Sequence, residues 1–236
     1  MRRAVLALAA AALVIGAAPA LGSALDPRLA GDGWRILPFG DKPPTRFRTD
    51  ADGAIEVAAG GGAAFLYRPV AVGEGTSLRL IWRWRVDRAP PPSDPAAAGR
   101  DDRPLAVHVF FAVDAARTGF FAGLWREVRA RVLGAPFAGR LITYMWGGTA
   151  PAGTRLANPH VPADGGIVVL RDGGGPLGKW RDEAVDLAAD YRAAFGEPAP
   201  PPAFIAVSAD ADDLGGQNLG RITDLAFAPR IANGGG

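Results

Sequence analysis

The sequence predicts an all-β protein, a jelly-roll-like β-sandwich with one or two short helical inserts, and three observations carry that expectation. Ser77–Asp87 alternates strictly, with Leu78, Leu80, Trp82, Trp84 and Val86 on one face and Arg79, Ile81, Arg83 and Arg85 on the other. A period of two over that length is the signature of a pleated strand. About ten short strand-like stretches follow one another between turn-rich segments, with no βαβ alternation. The chain is rich in glycine and proline (32 and 21 residues) but has no cysteine, so its stability must come from a packed core, not from disulfides.

Taken in order, residues 1–24 pair Arg2 and Arg3 with an apolar run from Ala4 to Ala18 and small residues at Ala18-Pro19-Ala20 and Gly22-Ser23-Ala24. This is the pattern of a secretory signal cleaved after Ala20 or Ala24, with retention as an N-terminal anchor as the alternative. The run is short of the roughly 20 residues a bilayer span requires. The expected mature protein is periplasmic or secreted, with no transmembrane span. Without Arg2 and Arg3 the basic count falls from 26 to 24, against 24 acidic residues. That balance gives no basis for nucleic-acid binding.

Residues 25–230 read as a single sandwich domain and 231–236 as a disordered tail. Short strands are expected at Trp34–Leu37 and Arg46–Arg48. Gly53–Ala58 and Ala63–Val70 flank Gly60-Gly61-Gly62, which reads as a hairpin because glycine reaches positive φ without steric cost. Ser77–Asp87 follows and ends in Ala89-Pro90-Pro91-Pro92, the start of a long exposed loop. Leu105–Val113 is a strand. From Phe120 to Leu133 the period changes: Phe121, Leu124, Trp125, Val128 and Val132 recur at helical spacing. Leu141–Trp146 and Ile167–Arg171 are strand-like, separated by a long loop from Gly147 to Gly166. Asp186–Phe195 is a short helix stopped by Gly196, and Phe204–Ser208 and Ile222–Phe227 close the chain as strands.

Several motifs together resemble the DUF3047 family of exported bacterial proteins: Trp82-Arg83-Trp84-Arg85-Val86, Asp101-Asp102 ahead of a strand, Tyr144-x-Trp146, Asn158-Pro159, Trp180, Asp190-Tyr191-Arg192 with Phe195-Gly196, and Asp210-x-Asp212. The chain departs from the pattern at Ala106 and His108, where an Arg and a Tyr are expected, and at Asp213-Leu214-Gly215, where Asn-Thr-Gly is expected. The resemblance implies no activity. Its strand layout is similar to the galactose-binding-like sandwiches of carbohydrate-binding modules, a likeness of fold only.

Function has few anchors in the residues. Trp82 and Trp84 share their face with three aliphatic residues and belong in the core, because each tryptophan buries about 150–250 Å². The opposite face is the expected ligand wall: Arg83 and Arg85 beside His108, Tyr144 and Trp146, with Asp101 and Asp102 near, binding a glycan or a small acidic ligand without catalysis. The alternative there is a solvated face of structural ion pairs. Asp210, Asp212, Asp213 and Asp224 read first as a turn whose carboxylates cap backbone amides, so no cofactor is expected; as an oxygen-only set they also suit calcium, the alternative reading.

Gly173–Lys179 nearly spells a phosphate loop, but Trp180 stands where a Ser or Thr must follow. A carbohydrate-active hydrolase or lyase built on Asp101/Asp102 with His108 or Tyr144 is the enzymatic alternative. A third reading is a structural or interaction protein of the cell envelope, whose Phe120–Leu133 helix meets a membrane surface or a protein partner.

Overall fold

The computed structural model of the chain describes residues 25–39, 43, 45–72, 78–111 and 139–228. The expected signal segment, the Phe120–Leu133 helix and the tail lie outside those residues. Among the described residues no helix is long and apolar enough to cross a membrane.

Among the described residues twelve strands form two sheets packed face to face, with two short helices. The strands are β1 (Arg35–Pro38), β2 (Arg46–Thr49), β3 (Ile55–Ala59), β4 (Ala63–Pro69), β5 (Arg79–Arg88), β6 (Arg103–Phe111), β7 (Leu141–Trp146), β8 (Arg155–Ala157), β9 (Gly165–Arg171), β10 (Arg181–Asp186), β11 (Pro202–Asp210) and β12 (Asn218–Phe227). Helix α1 spans Pro27–Gly31 and helix α2 spans Leu187–Phe195. One sheet has seven strands in the order β1-β4-β11-β6-β7-β9-β8, and the other has five in the order β10-β5-β12-β3-β2. Pairing is antiparallel except between β7 and β9, which are joined through the β8 excursion.

The sandwich follows from β5. Its Leu80, Trp82, Trp84 and Val86 are fully buried and meet the inward residues of β6 and β7. Trp82 lies edge-on to Trp84 at 5.3 Å and 5.6 Å from Tyr144, and Trp84 lies 5.6 Å from Trp146. Such edge and tilted contacts suit the ring quadrupoles and add to the area removed from water. Buried Trp84 satisfies its indole N–H by donating to Glu183 Oε1 at 2.8 Å, and the same oxygen accepts from Arg171 Nε at 2.8 Å. Glu183 thereby ties β10 of one sheet to β9 of the other.

β6 and β7 are buried on both faces. Their inward residues meet the five-stranded sheet, while Phe65, Phe110, Leu141 and Ala206 form a second apolar layer on the far side. Strands buried on both faces lose the polar alternation of a half-exposed strand, which explains the continuous apolar run LITYMW.

Two expectations are corrected. Gly60–Gly62 does not close a hairpin: β3 belongs to the five-stranded sheet and β4 to the seven-stranded one, so the glycines carry the chain between sheets. Gly61 has φ +75°, and a Cβ on Gly62 would overlap the backbone of Pro43. The Gly147–Gly166 loop contains β8. Gly173–Lys179 is a turn between strands, as expected, and the strand after it is β10. β10's side chains, RDEAVD, give little hydrophobic signal because it is an edge strand with one exposed face. Helix α1 was also missed, being little more than one turn.

Helix α2 begins one residue after the expected Asp186, which is its N-cap, and ends before Gly196 as expected. Asp186 accepts from Ala189 N–H at 3.0 Å, and Gly196 sits in the left-handed region with φ 74°. Leu187 and Tyr191 anchor it on the open side of the sandwich, where Tyr191 packs edge-on to Phe111 at 4.5 Å.

Candidate functional site

The expected wall of cations and aromatics is not assembled. Arg83 and Arg85 lie on the outer face of the five-stranded sheet, whereas Tyr144 and Trp146 point inward from the seven-stranded sheet and are 0% and 2% exposed. The reason is layer order: β5 and β7 face each other across the core, so Tyr144 meets Trp82 and not the arginines. Arg83 pairs with Asp182 at 2.7 Å and Arg85 with Asp87 at 2.9 Å, and both guanidinium groups lie over Trp180 at 5.7 and 5.2 Å. Beside them Arg221 gathers Asp50, Glu56 and Asp87. This face is a lattice of mutually compensated ion pairs.

His108 projects to the other side of the seven-stranded sheet, but it is sealed at 2% exposed. Its Nε2 is 2.8 Å from Ser208 Oγ and its Nδ1 is 3.0 Å from Thr143 Oγ1. Burial, followed by the nearby Arg103 charge, pushes its pKa well below the ordinary imidazole value. A serine and a histidine at that distance resemble a nucleophile and its base, yet Ser208 is itself buried and no carboxylate orients the ring.

The polar chemistry converges at one end of the sandwich, where the loops after β5, β8 and β11 meet. Asp101 and Asp102 are buried at the β5–β6 junction, not exposed on the loop. His160 Nε2 lies 3.0 and 3.1 Å from the two oxygens of Asp101, and Arg103 Nη1 reaches Asp101 Oδ2 at 3.2 Å. Asn158 accepts from the His160 backbone N–H at 2.9 Å and so holds the loop that presents the imidazole. Asp101, Arg103, Thr143, Asn158 and His160 line a small pocket together with Pro95.

Charges there are unevenly balanced. Burial pushes Asp101 upward, but the His160 hydrogen bond and Arg103 outweigh it, and its pKa ends below the usual value of 3.8. The same hydrogen bond raises His160 above 6.5 against partial burial. Asp210 goes the other way. Burial raises it, Arg103 opposes, and the carboxylates of Asp102, Asp101 and Asp213 add to the rise, leaving it at about 6. Its Oδ1 is buried with no hydrogen-bond partner among the described residues, and Arg103 stands 3.7 Å from its Oδ2.

Of the candidate metal set, the fold brings Asp210 and Asp212 together with Asp102: one carboxylate oxygen from each lies within 4.8 Å of the others. Asp213 is exposed and takes part through its backbone. Asp102 accepts from Asp213 N–H at 3.0 Å and Leu214 N–H at 2.9 Å, clamping the loop after β11. Asp224 sits at φ 58° in the β12 irregularity, six residues beyond the start of that strand and on its exposed side. At about 3.3 Å per residue it is some 20 Å along β12 from the acidic group. Asp102, Asp210 and Asp212 are therefore the residues that could hold a cation, with Arg103 already supplying positive charge beside them.

The sequence singles out Asn158 only within a family motif and gives no binding role to Arg103 or His160. The signal was present in the contiguous Asp101-Asp102-Arg103 and in His160 directly after Asn158-Pro159, but 59 residues separate Asp101 from His160 and only the fold joins them.

A family model described as "Protein of unknown function (DUF3047)" matches residues 32–226. No curated protein matches the chain.

Proposed function

The chain belongs to the DUF3047 family, and we propose that it is an exported, non-catalytic binding protein whose ligand is polyhydroxylated, of the saccharide class. The supporting observation is the convergence of Asp101, Arg103, Asn158 and His160 on one pocket at the loop end, with the His160 side chain 57% exposed. Together these groups offer a carboxylate, a carboxamide, an imidazole and a guanidinium. That is a mixture of donors and acceptors suited to hydroxyl groups that both give and take hydrogen bonds. On this reading the ligand meets the loop end, and the Arg83/Arg85 face serves as a structural ion-pair lattice.

The Asp101–His160 pair also favours a second reading, a carbohydrate-active enzyme in which Asp101 orients His160 as an acid–base group. His108 and Tyr144 have no part in it, since both are closed off from solvent. Burial and the Asp190 carboxylate beside Tyr144 hold the proton on its phenol.

Titration calorimetry against envelope glycans and uronic acids, with reducing-end release followed on the same mixtures, tests both readings. Saturable binding without release is expected, weakened about tenfold or more by His160→Ala. Release of reducing ends that His160→Ala abolishes would establish the enzyme instead.

A further inference from the structure

A cleft of about 210 Å³ lies on the other flank of the β8–β9 hairpin, between that hairpin and helix α2. Its walls mix apolar side chains, Leu156, Pro162, Ala193 and Ala194 among them, with about as much polar surface. At its base is a single opposed charge pair, Arg155 Nη2 to Asp190 Oδ1 at 2.6 Å. Asp190 is buried and fixed from behind by the Tyr144 hydroxyl, which donates to its Oδ2 at 3.0 Å. The Arg155 side chain is 57% exposed and spends one nitrogen on that contact.

We infer that this cleft is a second binding site, separate from the loop-end pocket, that accepts one neutral sugar ring. The argument is one of charge and size. Arg155 and Asp190 cancel, so the site offers no net attraction to an ion, yet it presents donors and acceptor lone pairs side by side. A neutral ligand with adjacent hydroxyls pairs with both, and the apolar side chains take its C–H face. The volume is below the roughly 300 Å³ at which drug-sized ligands are accommodated, which limits the occupant to about one pyranose ring. Tyr144, immobilised in the core against Trp82, fixes the position of Asp190 and so preorganises the pair.

The site stands or falls independently of the loop-end pocket. Saturation-transfer NMR with glucose, galactose, mannose and glucuronate on the full chain is the test. At least one neutral hexose should bind at millimolar affinity. Ala193→Trp, at an exposed helix position, should remove that binding while leaving the melting temperature unchanged, and Arg155→Lys should weaken it about tenfold or more. His160→Ala should leave it intact. The inference is overturned if no neutral hexose binds, if glucuronate alone binds, or if hexose binding survives Ala193→Trp. Loss with His160→Ala but not with Ala193→Trp would assign the sugar to the loop end and also overturn it.

Discussion

Asp210 shows how one residue can carry an energetic cost that its neighbours impose. Its native pKa of about 6 lies above the ordinary carboxylate value of 3.8, so the folded state binds the proton more tightly than the unfolded state. Stability therefore falls as pH rises between those two values, and the full cost applies above them. Asp210→Asn keeps the shape and removes the charge. It should gain up to about 2 kcal/mol over the native chain near pH 8 and nothing near pH 3.5, read from urea unfolding at the two pH values. His160 and Asp101 behave in the complementary way. The raised imidazole stabilises below 6.5 and loses its contribution as pH climbs through its native pKa; the depressed carboxylate stabilises above 3.8 and loses its contribution as pH falls. His160→Gln should consequently lower the melting temperature near pH 5.5 and hardly change it near pH 9. An equal loss at both pH values would show that the imidazole acts only by packing.

At the scale of elements, the instructive comparison is between two strands that the sequence made equally visible. In β5 the alternation specified both the strand and its buried face, because one side is solvated and the contrast between Trp82 and Arg83 survives in the letters. In β7 the apolar run specified the strand but not its surroundings, so Tyr144 and Trp146 were expected to face a ligand. What decided their place was which sheet β7 joins, a long-range pairing with no local signal. β10 was invisible for the opposite reason, its exposed face being charged, although its Glu183 closes the bond to Trp84. Glu183→Ala should cost about 1–3 kcal/mol by leaving a buried indole N–H without an acceptor, and Glu183→Gln clearly less. Arg83→Ala, by contrast, removes one exposed pair of the outer lattice and should change stability by less than about 1 kcal/mol in the same denaturation assay.

For the molecule as a whole, the sandwich architecture was legible because the periodicities, the turn residues and the lack of cysteine agree with one another. The loop end was not. Its pocket takes Asp101 and Arg103 from one loop junction and His160 from another, and its acidic group adds Asp210 and Asp212 from a third, so no window of sequence contains it. The acidic group invites a cation, yet Asp102 spends both oxygens on the backbone of the following loop and Arg103 supplies a countercharge. The melting temperature should accordingly be the same in calcium and in chelator, whereas a rise in calcium would make the group a cation site.

The loop end is proposed to bind a polyhydroxylated ligand without transforming it. The most direct measurement is calorimetric titration of the native chain and of Asp101→Asn with envelope glycans. The account predicts saturable binding to the native chain, at least tenfold weaker in the variant, with the glycan recovered intact. Binding that is indifferent to Asp101→Asn, or a glycan recovered cleaved, would contradict it.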